Sequence, residues 1–194
     1  MGRPQTFDTT EVVRAARGVF WEHGYEDASL PALEAATGLR RSSLYHAFGS
    51  KRGLFDAAVT SYLDEVIRPR LRPLLTSPVA AHAVVDYLTG LRDALTRPGS
   101  PAARSGCLLV NAAGAPIAKD RAVAGVVADY RRELHAALRA GIAAHLPLAS
   151  PAQVDRRATM ITSLVLAAMT LVRIDPEQAG ATLDAGIALL DEET

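Results

Sequence analysis

The sequence is short of several things, and each shortage removes a class of explanation. One cysteine in 194 residues excludes an intramolecular disulfide framework and suits a reducing compartment. That cysteine and five scattered histidines lack the spacing of a closed zinc site, and no metal or cofactor is expected. A phosphate-binding glycine loop, a GxSxG elbow and an HExxH pair are all missing. An enzyme reading would have to rest on Cys107 with a histidine as base, and nothing selects one of the five, so the chain is not read as an enzyme. The longest uncharged run without proline, residues 158–172, is 15 residues, too short to span a bilayer. The N-terminus has no apolar signal core, so a cytoplasmic protein without membrane attachment is expected. Neither sign of charge dominates: 21 basic and 21 acidic residues give a net charge of zero, and residues 1–60 hold seven of each. Global charge therefore says nothing for nucleic acid, and any basic site must be local.

What is present is apolar and helical. Hydrophobic residues make up 49% of the chain and charged residues 22%, a balance that fits a well-buried globular protein. No stretch alternates with period two, so the expected fold is all-α. The most informative stretch is 29–55. Ser29 is a helix N-cap residue followed by Pro31 in the first turn, and Thr37-Gly38 is a helix stop. A second short helix is expected from Arg41 to Phe48. Two short helices joined by a tight glycine-containing turn make a helix-turn-helix, whose second helix enters the DNA major groove. Arg41, Ser42, Ser43, Tyr45 and His46 lie on its exposed face. No acidic residue lies between Glu34 and Asp56, whereas Arg40, Arg41, Lys51 and Arg52 all do. Two arginines at a helix N-terminus oppose the macrodipole in the free protein but suit a phosphate. The alternative is a solvated charged turn.

The run Gly38-Leu39-Arg40-Arg41-Ser42-Ser43-Leu44-Tyr45-His46-Ala47-Phe48-Gly49-Ser50-Lys51 resembles the signature of the TetR (tetracycline-repressor) family of transcriptional regulators. The match continues upstream through Phe20 and Gly24-Tyr25, over about the first quarter of the chain. Two positions depart from it. Arg40 replaces the small hydroxyl residue that usually caps the recognition helix, a loss of about 1 kcal/mol if nothing else caps it. Ser42 stands where glycine is usual. The resemblance implies a homodimer on a palindromic double-stranded operator and a ligand cavity among the helices spanning Leu54–Leu146.

Taken in order, residues 1–6 form a polar arm whose Arg3 is placed to reach a minor groove, or is simply a disordered terminus. Asp8 caps the first helix, with Glu11 completing a capping box and Gly24 ending the helix. Ser50 caps a fourth helix expected to end near Arg68-Pro69. Further helices are expected from Ser77-Pro78 to Thr96, Ser105 to Ala115, Lys119 to His145, Ala152 to Ile174, and from Asp175-Pro176 onward. The expected domains are 1–50, a helix-turn-helix DNA-binding domain, and 51–194, a helical ligand-binding and dimerisation domain, joined within the fourth helix rather than by a linker.

The penultimate helix is apolar nearly all round, which requires cover on every side. With the last helix it is expected to dock on its twofold copy as a four-helix bundle through Leu164, Ala168, Leu183 and Ile187, the small residues Gly180, Ala181, Ala185 and Gly186 allowing close approach. An intramolecular core is the alternative. Tyr62, Tyr87, Asn111 and Tyr130 are polar-tipped residues in apolar stripes, suited to a mainly apolar small-molecule effector. Cys107 has three readings: core packing, ligand lining, or a reactive thiol, since Gly106-Cys107-Leu108 is similar to a stretch holding a sensing cysteine in some TetR-type regulators. The best reading is a ligand-released repressor. A small-molecule carrier with a non-specific DNA-binding head is the alternative, favoured by the missing cap at Arg40.

Overall fold

Helix starts follow the capping residues. The computed structural model describes residues 7–191, and in it Asp8, Ser29, Ser50, Ser100, Asp120 and Ser150 each hold extended backbone. Each accepts a hydrogen bond from an N–H of the first turn that follows it. At Ser150 the reciprocal half of a capping box is present too, Gln153 Oε1 accepting from the Ser150 N–H at 2.7 Å. The box expected at Asp8 does not form. Asp8 takes the Thr10 N–H, and Glu11 turns instead to Arg14, 2.7 Å away.

The chain divides into two compact units, Met1–Val66 and Ile67–Thr194. In the first, α1 (Thr9–Asp27) packs on α2 (Leu30–Thr37) and α4 (Lys51–Tyr62), and α3 (Arg41–Phe48) packs on α4. Its core is built from large side chains: Phe20, Leu33, Leu44, Leu54 and Phe55 are each at most 2% exposed. Phe55 meets Phe20 and Tyr25 edge-on, with ring centroids 5.2 and 5.1 Å apart. Residues 51–66 therefore belong to the first compact unit, although the helix-turn-helix ends at residue 50. The second unit contains α5 (Arg68–Leu75), α6 (Ala83–Thr96), two short helices α7 (Pro101–Ser105) and α8 (Leu108–Ala113), a 3-10 turn at Pro116–Lys119, α9 (Arg121–His145), α10 (Pro151–Leu171) and α11 (Pro176–Asp191). There α11 lies against both α10 and α6, α9 against α10 and α5, and Leu88, Leu134, Leu138, Ile161, Val165 and Leu183 are fully buried. Among the described residues there is no strand, and no helix is long and apolar enough to cross a membrane.

Several expected boundaries move, for local reasons. Gly24 bends α1 rather than ending it, and the helix resumes to Asp27. The fourth helix does not stop at Arg68-Pro69. Pro69 cannot donate to a carbonyl four residues back, and the backbone meets it with a widened π turn, Leu63–Ile67, before continuing as α5. Ser77-Pro78 does not open α6, which begins at Ala83. No residue from Leu75 to His82 is buried, so a helical turn there would have no packing to hold it. The helix expected over 105–115 is split by Gly106, whose φ of +62° interrupts it and whose Cα faces the Met169 carbonyl so closely that a Cβ would overlap that oxygen.

The dimer residues also need correction. Ala168 and Leu183 are 0% exposed within the single chain, and Leu164 and Ile187 are half-buried. The stripe Ala179, Leu183, Gly186 and Leu190 faces the chain's own α6 and α10. Of the small residues, the two glycines serve the same contact: a Cβ on Gly180 would lie 3.0 Å from Thr96 Cγ2, and one on Gly186 3.6 Å from Leu164 Cδ1. The internal alternative thus holds for Ala168 and Leu183. What remains outward is Met160, Ala167 and Ile174, with Ala181, Ala185 and Ala188 on α11.

Candidate nucleic-acid interface and ligand cavity

The turn between α2 and α3 is held by side chains as well as backbone. Ser29 Oγ accepts from the Ala32 N–H at 3.2 Å, so this hydroxyl is engaged in starting α2. Thr37 Oγ1 donates to the Leu33 carbonyl at 2.7 Å and accepts from the Leu39 N–H at 3.3 Å. Gly38 is left-handed, its N–H returning to the Glu34 carbonyl at 2.9 Å. Arg40 occupies the N-cap of α3 and makes no side-chain cap. The cap comes from the preceding helix: Glu34 Oε1 accepts from the Arg41 N–H at 2.5 Å. A carboxylate at a helix N-terminus is favoured by the macrodipole and satisfies one orphan donor. The same bond ties α2 to α3.

The outer face of α3 presents Arg41, Ser42 and His46 exposed, with Ser43 and Tyr45 half-buried, while Leu44 is 1% exposed on the inner side. Arg41 lies over the Tyr45 ring, Cζ 5.0 Å from its centroid. Lys51 is fixed at the start of α4, its Nζ 4.9 Å from the Tyr25 ring centroid and donating to the Glu26 carbonyl at 3.2 Å. Ser50 caps that helix through the Gly53 N–H at 3.1 Å. Gly53 has no room for a side chain, since a Cβ would overlap the Phe48 carbonyl. Arg52 is neutralised by Asp56 at 2.8 Å, whereas Arg40 has no ion-pair partner among the described residues. Arg3 lies outside the described residues. Behind this face, Glu65 of the π turn binds Arg14 and Arg17 of α1, both at 2.9 Å. The hydrogen bond from Arg14, then that from Arg17, lowers the Glu65 pKa, and Arg14 is raised in turn.

The ligand candidates separate. Tyr62 belongs to the first unit, where it is 2% exposed and edge-on to Trp21 at 4.9 Å. In the second unit, the Cys107 thiol lies 4.0 Å from the Tyr130 hydroxyl, which lies 3.7 Å from Met169 Sδ, and Cys107 is 1% exposed. Asn111 is half-buried and donates to the Ser105 carbonyl at 2.7 Å. Tyr87 faces a cleft of about 260 Å³ between α5 and α6, lined also by Arg70, Pro73, Ala83 and Leu91. Tyr87 is half-buried: desolvation raises its hydroxyl's pKa, a charge on Cys107 would add to the rise, and Arg70 opposes it. Of the ligand candidates, Tyr87 alone lines this cleft.

Comparison with known proteins places this geometry. The family model for bacterial regulatory proteins of the tetR family matches residues 12–58, from the buried face of α1 into α4. The HTH-type transcriptional regulator YezE of Bacillus subtilis (strain 168) is 34% identical over 142 residues, covering 73% of this chain and 72% of YezE. The chain belongs to the tetR family. The HTH-type transcriptional repressor ComR of Escherichia coli (strain K12) is 34% identical over 57% of this chain, and the match spans about half, 51%, of ComR's length. A cysteine mutant of the TetR family regulator CifR, solved in complex with 26 bp operator DNA, superposes with a TM-score of 0.79 at 31% identity, covering 96% of this chain and 98% of that one.

For this tetR-family chain, sequence reasoning missed two residues. Glu34 was read only as the edge of an acid-free stretch, because its bond to Arg41 crosses a turn and no i-to-i+3 rule finds it. Arg70 sits in an Arg-Pro-Arg run that reads as solvated charge until α6 brings Tyr87 opposite it.

Proposed function

We propose that this tetR-family regulator is a ligand-released repressor that binds a palindromic operator as a homodimer. In this reading residues 1–50, together with Lys51 at the start of α4, engage DNA, and the rest of 51–194 carries the ligand and dimer contacts. The observation that carries it is the outer face of α3, with Arg41, Ser42 and His46 exposed on a helix whose N-terminus is capped from α2. Arg41 and His46 read base edges in the major groove. Arg40, Tyr45 and Lys51 hold phosphates, and Ser29, Ser42 and Ser43 add hydroxyl contacts at the same strand. Arg3 belongs to an arm reaching the adjacent minor groove. The operator complex of CifR and the repressor name of ComR support the DNA and repressor parts of this reading. Self-association uses the outward residues of α10 and α11, with Leu164 and Ile187 at the edge of that face. The effector is a small molecule held in the second unit, and its binding and operator binding oppose each other by the same free energy in both directions.

The carrier reading rested on an uncapped recognition helix, and with Glu34 in place no feature favours it. A mobility-shift titration at several salt concentrations, against duplexes from the region flanking the gene, tests the proposal. The expected result is a steep salt slope with a preference of about 10³-fold or more for one palindrome. Equal affinity for every duplex refutes it.

A further inference from the structure

The cleft between α5 and α6 carries information about the effector. Its volume, about 260 Å³, lies below the roughly 300–1,000 Å³ of drug-sized sites, so its occupant is small. The Tyr87 hydroxyl opens to this cleft and has no protein hydrogen-bond partner among the described residues, so it is available to an occupant. Arg70 lines the same cleft and is likewise without an ion pair among the described residues. A guanidinium, which can only donate, and a hydroxyl, which can donate, thus line one cavity and together suit an anionic acceptor. Asp86 also lines the cavity, but its side chain is 66% exposed and lies 3.4 Å from His82 Nε2, and it is not among the groups acting on Tyr87. It therefore stands at the rim. The remaining walls, Pro73, Ala83 and Leu91, are apolar.

We propose that this cleft binds a small monocarboxylic acid with an apolar body, its carboxylate held by the Arg70 guanidinium and the Tyr87 hydroxyl and its body against Pro73, Ala83 and Leu91. Asp86 at the rim repels a second carboxylate and so selects against diacids. This rests on the reading that a ligand in the second unit releases DNA. Gly90 supplies a control. It lines the cleft, and a Cβ there meets nothing within 4 Å, so a larger side chain enters the cavity and not the core.

Calorimetric titration of the full chain with benzoate and hexanoate, each against its neutral amide, tests the proposal. Wild type is expected to bind at least one acid ten-fold or more tighter than its amide. Arg70→Gln is expected to remove that preference, Tyr87→Phe to weaken the acid several-fold, and Gly90→Leu to abolish binding with an unchanged circular-dichroism spectrum. Equal binding of acid and amide, acid affinity untouched by Arg70→Gln, or no binding of either acid at millimolar concentration overturns it. The mobility-shift assay, run with the bound acid, separates the two readings. Binding without DNA release leaves the site standing and removes the release function. Specific DNA binding with no acid binding removes the site and leaves the regulator.

Discussion

The two units of this regulator solve the packing problem with different side chains. Eight of the ten aromatic residues lie at or before Tyr62, and only Tyr87 and Tyr130 follow. The first unit is small, and small units bury a lower fraction of their surface, so large rings such as Phe20 and Phe55 supply contact area that methyl groups could not. Several of its polar groups are tied within the unit, Glu34 on the Arg41 N–H, Glu65 on Arg14 and Arg17, Lys51 on the Glu26 carbonyl. The second unit is longer and closes on Leu, Val and Ala, with Gly141 and Gly180 letting helices approach. It retains a cleft whose Tyr87 and Arg70 are not satisfied internally. A surface that meets a fixed partner benefits from pre-organisation, whereas a cavity for a small molecule needs donors left open.

The contrast is broken most severely by putting a charge inside the longer unit. Leu183→Arg buries an unpaired cation between α11 and its neighbours, a cost of several kcal/mol, and should prevent folding of that unit. Ala185→Arg, on the outward side of the same helix, should leave a folded chain and affect self-association alone. Circular dichroism with sedimentation distinguishes them, and a folded Leu183→Arg monomer would return Leu183 to the dimer face. Next in size, Phe55→Ala should cost about 3–5 kcal/mol because two ring contacts in the small unit depend on it, read as a shift in urea midpoint.

Substitutions on the DNA face come third. Arg41→Ala and His46→Ala should relax preference at individual base pairs by about 1–3 kcal/mol, while Tyr45→Phe and Lys51→Ala weaken specific and random duplexes alike. A uniform loss in Arg41→Ala would move that residue to the phosphate set. Glu34→Ala should then cost about 1 kcal/mol of stability, as the loss of a cap does, and should lower operator affinity without changing the salt slope. The smallest effect is on acid stability. Glu65 is depressed below its ordinary value of 4.5, so its contribution is present above that value and is lost as the pH falls through the lower, folded-state pKa. Comparing wild type with Glu65→Gln in urea at pH 6 and pH 3 reads it: the gap should narrow at pH 3, and because the group is solvent-exposed the gap is small throughout.

Local rules carried much of the fold. Ser29, Ser50, Asp120 and Ser150 marked helix starts because a cap acts over two or three residues, and the spacing of Val123, Tyr130, Leu134 and Ile142 marked the buried side of α9. The recognition helix was legible for the same reason, its turn, length and cations lying within about twenty residues. The failures fell where the answer depended on a distant neighbour. A helix apolar on all sides declares that it must be covered but not by what, and α6 covers the Leu183 stripe that pointed toward a second chain. Pro69 announced a helix end, and a π turn absorbed it. By itself the sequence determined most helix starts, their order and the exposed cationic face of α3, because those follow from contacts along the chain. Only the tertiary structure decided that Glu34 caps α3, that Ala168 and Leu183 are internal and that Arg70 and Tyr87 line one cleft, because each depends on which faces remain free once the helices of a unit compete for one another's apolar surface.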